Sequence, residues 1–226
     1  MKKFGGPAAI AALLSFNAGV VDTAGFLGLQ GLFTAHVTGN FVTLGAALAL
    51  GHHGIVNKIL ALPEFIVTVA LARLAGFAMR KRGWPVLRIF LIAEVALLAL
   101  FCVLAVVYGP FPDADTPIAL ATGFAGVAAM ALQNAVQRVH LSSLPPTTLM
   151  TGNTTQATID AVDLLAGRPL PQRDAIRTRF GQLAFGIFTF AAGCAVSAVL
   201  YWLVGFWCLA LAVLVGVVAA AMRAKT

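Results

Sequence analysis

Stretches of about 20 residues with almost no charge recur along this chain, each long enough to cross a ~30 Å hydrocarbon core as a helix. They run from about Pro7 to Leu27, Ile59 to Met79, Pro85 to Tyr108, Ile118 to Val136, Phe180 to Val204 and Phe206 to Met222. In lipid every backbone polar group must be satisfied within the protein, which leaves helices or a closed barrel. A barrel would need apolar and polar residues to alternate, and they do not. Composition agrees: 60% of residues are apolar and 10% charged, against about a quarter charged in soluble domains. The expected fold is all-α, a polytopic membrane helical bundle forming one membrane domain over residues 1–226, with the lipid bilayer as a partner.

Two further apolar segments are too short to span. Phe41 to Leu50 is ended by Gly51-His52-His53-Gly54, and about ten helical residues cover only about 15 Å. Thr154 to Leu165 is more polar, with Asp160 and Asp163 near its end. Each is opened by the same triplet, in His36-Val37-Thr38-Gly39-Asn40 and in Leu149-Met150-Thr151-Gly152-Asn153. A motif repeated half a chain apart reads as a duplication, with repeat A at about 7–109 and repeat B at about 117–222. Asn40 and Asn153 read as helix N-caps, Gln156 standing where a capping-box partner would.

Charge placement decides how the short segments sit. The net charge is +7, but the basic residues fall between apolar segments, which suits cytoplasmic loops better than nucleic acid. If both short segments dip in and return, all 15 Lys and Arg except Lys58 and Arg73 lie on one side, and Asp113 and Asp115 on the other. The positive-inside rule then selects six transmembrane spans plus two re-entrant half-helices, with both termini cytoplasmic. One triplet enters from outside and the other from inside, so the halves form an inverted-topology internal repeat, an architecture of channels and secondary transporters. Both triplets are expected to line one midplane site.

Helix N-termini carry unsatisfied amides and partial positive charge, which attract anions. The expected substrate-binding residues are therefore Thr38, Gly39, Asn40, Thr151, Gly152 and Asn153, with Asn134 standing in repeat B where Asp22 stands in repeat A. Asp22, His36 and Glu94 are the proton-coupling candidates, since carboxylates inside spans are costly and histidine titrates near neutrality. A structural alternative has Asp22 capping a helix break beside Gly25. Arg73 and Glu94 read as a pair across neighbouring spans, and Arg138 as either a pathway cation or the first cytoplasmic base. Cys102, Cys194 and Cys208 lie in apolar windows without ligand spacing, so no metal and no cofactor is expected. The chain shows neither a nucleophile elbow nor a phosphate loop, so the expectation is not an enzyme. Gly123 and Gly126 suit helix association in a homodimer and packing within one chain equally well.

Phe16-Asn17-Ala18-Gly19-Val20-Val21-Asp22 followed by His36 to Asn40, and Gln133-Asn134-Ala135 followed by Thr147 to Asn153, resemble the YoaK family of bacterial membrane proteins of unknown function over almost the whole chain. The resemblance implies an inner (plasma) membrane protein with an acid at Glu94 and transport suspected; it supplies no substrate. Residue chemistry gives the functional expectation: a secondary transporter of a small polar or anionic solute, proton-coupled through Asp22. The alternatives are a passive aquaporin-like channel and, from a different class, an intramembrane enzyme using Asp22, His36 and Glu94.

Overall fold

The computed structural model describes residues 6–166 and 172–222, and these contain helices and turns but no strand. Eight α-helices follow one another: α1 (Pro7–Gly28), α2 (Asn40–Leu50), α3 (Ile55–Lys81), α4 (Val86–Tyr108), α5 (Pro117–His140), α6 (Met150–Leu165), α7 (Arg173–Val204) and α8 (Leu209–Ala221). Short 3₁₀ turns, Val37–Gly39 and Gly205–Cys208, lead into α2 and α8. Five stretches are long and apolar enough to cross a membrane; the last, Arg173–Ala221, is divided at Gly205. There the backbone turns through φ 58°, a left-handed value that glycine adopts at little cost.

Local chemistry explains the boundaries. Pro7 and Pro117 begin α1 and α5, where their missing amide is no loss. Thr116 also caps α5 by accepting from the Ala119 amide. The cap of α3 comes from far along the chain: Asp115 accepts from the Ile55 and Asn57 amides at 2.9 and 3.0 Å. That carboxylate sits on the positive end of the helix dipole and ties the α2–α3 turn to the α4–α5 connection.

Contacts fix the direction of each helix. Gly28 faces Phe206, whereas Asn17 lies near Gly216, so α1 and α8 are antiparallel. Gly186 lies near Ser15 and Ser197 donates to the Val20 carbonyl, so α7 runs parallel to α1. Asn57 meets Gly123, Phe90 meets Gly76 and His140, and Phe101 meets Gly126. These contacts make α3 and α5 run opposite to α4. One end of the bundle carries Arg80, Lys81, Arg82, Arg138 and His140, the other Asp113 and Asp115. In cross-section α7 packs on α1, α1 on α8, α8 on α4, α4 on α5 and α5 on α3, while α2 lies on α3 and α6 on α7.

The core is made of small and branched residues from α1 and α5, joined by Leu98 and Phe101 of α4 and by Leu209 and Ala212 of α8. Large apolar side chains instead crowd the outer surface, among them Ile66, Leu71, Leu74, Val103, Phe188 and Leu214. A soluble domain would not leave so much apolar surface exposed, and hydrocarbon is the solvent that suits it.

Three sequence expectations are corrected here. Asn40 is the first residue of α2 rather than its cap, and Asn153 lies within the first turn of an α6 that begins at Met150; neither helix has a side-chain cap. Gln156 donates to Asp160 instead of closing a capping box. Arg73 and Glu94 do not pair: the Arg73 guanidinium lies 4.3 Å above the Phe77 ring, and both Glu94 oxygens are buried without a hydrogen-bond partner. The basic charges of Lys2, Lys3, Arg168, Arg223 and Lys225 lie outside the described residues.

Candidate functional site

Beyond Gly28 the chain folds back along α1 instead of leaving the bundle. Gln30 anchors this return by donating to the Pro112 carbonyl and accepting from the Ala114 amide. Thr34 then lies against Gly25 and Gly126, and His36 reaches the level of Asp22 and Phe190. The chain reverses at Val37–Gly39, and α2 carries it back until Gly54 meets Gln30 again.

Asp22 holds this descending segment in place. Its Oδ1 accepts from the Thr34 and Ala35 amides at 2.8 and 2.7 Å and from the Thr34 hydroxyl at 3.3 Å. Its Oδ2 lies 2.7 Å from His36 Nδ1. A buried carboxylate is expensive in this setting, and two amides plus an imidazole offset the cost. Asn40 performs a related task, its amide group accepting from the Phe33 amide and donating to the Phe33 carbonyl, both at 2.8 Å.

The second triplet is reached by a similar descent from the opposite end of the bundle. After His140 the chain returns along α5, and Gln137 donates to the Leu144 carbonyl. Further in, Gln133 donates to the Thr147 hydroxyl and the Leu14 carbonyl, and the Thr148 hydroxyl donates to Asn134 at 2.7 Å. Asn153 donates to the Pro146 carbonyl, seven residues back, the same interval as Asn40 to Phe33. From there α6 runs back beside α7, fastened by Arg179 on Asp160. That guanidinium holds the Asp160 carboxyl below its ordinary value.

Between the first descent, α3, the start of α4 and the end of α5 lies a cavity of about 410 Å³. Its polar lining is His36, Thr38, Arg73, Arg80, Asn134, Arg138 and His140, with no carboxylate. Among the described residues the ion pairs are His36 with Asp22 and Arg179 with Asp160, so the three cavity arginines have no acidic partner. Low-dielectric walls around charges of one sign concentrate the field and draw in the opposite charge.

The expected site residues divide between this cavity and other surroundings. His36, Thr38 and Asn134 line the cavity, and Asp22 stands directly behind His36. Gly39 is packed on the Phe33 ring, and Asn40 is turned into its own loop. Gly152 and Asn153 border a separate recess with Pro145 and Arg179. Thr151 lies on another exposed face, with Thr154 and Thr158. The two triplets therefore do not share one chamber; Leu149, just before the second, is its nearest approach to the cavity lining. Glu94 lies outside that lining, in the core stripe of Leu91, Leu98 and Phe101.

Sequence reasoning alone does not single out Arg80 or His140, and it gives Arg73 a different partner. For Arg73 and Arg80 the signal is periodic: Leu62, Phe65, Val69, Arg73, Gly76 and Arg80 recur at three- and four-residue spacing, one stripe of α3, and all face the cavity.

Comparison with known proteins bears on identity. A family model described as a protein of unknown function (DUF1275) matches residues 10–222. The chain is also similar to the UPF0700 transmembrane protein YoaK of Bacillus subtilis (strain 168). The two are 40% identical over 74 residues, which is 32% of this chain and 33% of that protein. The match thus spans about a third of the relative's length. No solved structure matches the chain.

Proposed function

We propose that this membrane protein, which belongs to the DUF1275 family, is a secondary transporter that carries small anionic solutes through the arginine-lined cavity. The observation that carries the reading is the set of ionisable side chains in the lining: three arginines and two histidines, with no carboxylate among them. Arg73, seven residues further into α3 than Arg80, has no acidic partner at membrane depth, where a lone charge is costly to maintain. A visiting anion would offset that cost, giving binding its driving force.

Packing supports the transporter architecture. If α1 exchanges with α5, α2 with α6, α3 with α7 and α4 with α8, then α3 on α5 becomes α7 on α1, α4 on α5 becomes α8 on α1, and α2 on α3 becomes α6 on α7. Each is an observed pair. Because α1 and α5 run in opposite directions, this exchange corresponds to an inverted repeat. In this reading the two descents are re-entrant segments entering from opposite membrane faces, and the basic end is cytoplasmic. Non-helical backbone at that depth is tolerable because protein covers it and its amides are engaged by Asp22 and Asn40.

The Asp22–His36 pair lies at the inner wall of the cavity and is suited to exchange one proton as the solute binds. Glu94, buried with no partner, is a second group that can take a proton. Asn134 occupies the place of Asp22 in the other half and bonds a threonine hydroxyl rather than backbone amides. The two halves would thus differ in charge, one presenting a carboxylate and the other an uncharged amide.

Proteoliposome uptake of a small labelled carboxylate tests the proposal. Saturable uptake, accelerated by a proton gradient and reduced at least tenfold in Arg73→Gln, is the expected result. Non-saturating flux indifferent to the gradient would favour a passive channel. No flux of any anion above protein-free liposomes would overturn the proposal.

A further inference from the structure

We propose that the cavity is built for an amphiphilic organic anion, a single carboxylate on an apolar body, in preference to an inorganic or multiply charged one. This inference rests on the anion-transport proposal and sharpens it. Size is the first argument. A cavity of about 410 Å³ falls in the range that encloses a whole organic molecule, whereas an inorganic anion would leave most of it to water at ~30 Å³ each.

The walls are the second argument. Beside its polar groups the lining carries Leu62, Phe65, Val69, Phe90 and Leu149, side chains that gain by touching a hydrocarbon body and offer water no hydrogen bond. The arrangement of charge is the third. Arg73 and Arg80 lie seven residues apart on one helix, which separates them by about 10 Å along its axis. Spaced along the cavity in this way, they offer two stations, each suited to one carboxylate.

The Arg73 guanidinium fits such a station. Its planar face is already occupied by the Phe77 ring at 4.3 Å, which leaves its N–H edge for the paired hydrogen bonds a carboxylate accepts. A small apolar acid could therefore enter at the basic end, engage Arg80, and slide its apolar body along Phe90 and Phe65 until its head reaches Arg73 and His36. The same chemistry describes a fatty acid or the head of an acidic lipid, so the source of the ligand must be separated experimentally.

Binding to the full-length protein in uncharged detergent provides the test. The probes are phenylacetate, octanoate, succinate and inorganic phosphate, with phosphatidylglycerol micelles as a separate arm. Phenylacetate and octanoate are expected to raise the thermal transition, with succinate and phosphate at least tenfold weaker. Phe65→Ser should weaken phenylacetate about tenfold, and Arg73→Gln at least as much. Val69→Thr, which keeps the side-chain volume, gives a second reading of the wall should the serine variant not fold, and should weaken phenylacetate several-fold. Equal or stronger binding of phosphate or succinate would overturn the amphiphile proposal and leave anion transport standing. Stabilisation by phosphatidylglycerol alone would overturn it in favour of a lipid site. No response to any anion would overturn both.

Discussion

Removing the Asp22 carboxylate should separate two consequences that the structure assigns to one side chain. Asp22 Oδ1 is the acceptor for the amides of Thr34 and Ala35, both in the buried interior. Asp22→Ala leaves two buried amides without acceptors, at ~1–3 kcal/mol each, and removes a partner from His36. The expected loss is about 3–5 kcal/mol. Asp22→Asn keeps an oxygen for the amides and loses charge assistance, about 1–2 kcal/mol. At ~2–4 °C per kcal/mol for a chain of this size, the alanine variant should melt on the order of 10 °C lower and the asparagine variant only a few degrees lower. A thiol-reactive dye reads this transition directly, because Cys208 is 1% exposed and Cys102 and Cys194 are half-buried. The asparagine variant should bind anions yet lose the response to a proton gradient. Equal melting of both variants within about 2 °C would refute the idea that this carboxylate holds the descending segment.

Other outcomes follow from single contacts. In Gly193→Ala the added carbon would clash with the Phe16 carbonyl across the α1–α7 contact, for a loss of about 1–3 kcal/mol. Gly45→Ala, where the carbon meets open space in α2, should leave the melting temperature unchanged or slightly raised. Glu94→Gln replaces a buried carboxylate lacking any partner by an uncharged amide of the same shape. Its melting temperature at pH 7 should equal or exceed that of the wild type, and a drop of several degrees would show that Glu94 has a stabilising role its surroundings do not explain. Asp160, whose carboxyl Arg179 holds below its ordinary value, stabilises the α6–α7 contact fully above the unfolded carboxylate pKa of about 3.9. That contribution fades as pH falls through the lower folded value. The protection of the α6 amides, taken relative to the intrinsic exchange rate at each pH, should therefore fall on acidification in the wild type but not in Arg179→Leu; the same acid response in both would contradict the linkage.

What could be foreseen here depended on the range of the interaction. Long uncharged windows report helices whatever their neighbours, so α1, α3, α4, α5 and the α7–α8 stretch were legible, as was the break at Gly205. The caps were misplaced because Asn40 and Asn153 bond backbone groups seven residues back, across a reversal of the chain. Cap preferences describe only the first turn of a helix. Arg73 and Glu94 read as a pair in the sequence because both are charges inside apolar segments. Arg73 belongs instead to the stripe of α3 that faces the cavity, and Glu94 to the stripe of α4 that faces the core. Asp22 and His36 were legible as important residues but not as partners, since their contact requires the chain to fold back after Gly28. The cavity was the least legible feature: its cations come from two helices and a loop, and each alone looks like an ordinary basic residue near a membrane boundary.

The charge of the cavity can be probed at Thr38, which lines it beside His36. With Cys102, Cys194 and Cys208 replaced by alanine, Thr38→Cys should react about tenfold faster with an anionic methanethiosulfonate than with a cationic one of similar size, because the cavity arginines draw the anion in. The reaction should be faster from the face that carries Arg80 and Arg138, and phenylacetate should slow it. A cationic reagent that reacts as fast as the anionic one or faster would contradict the account of an anion pathway.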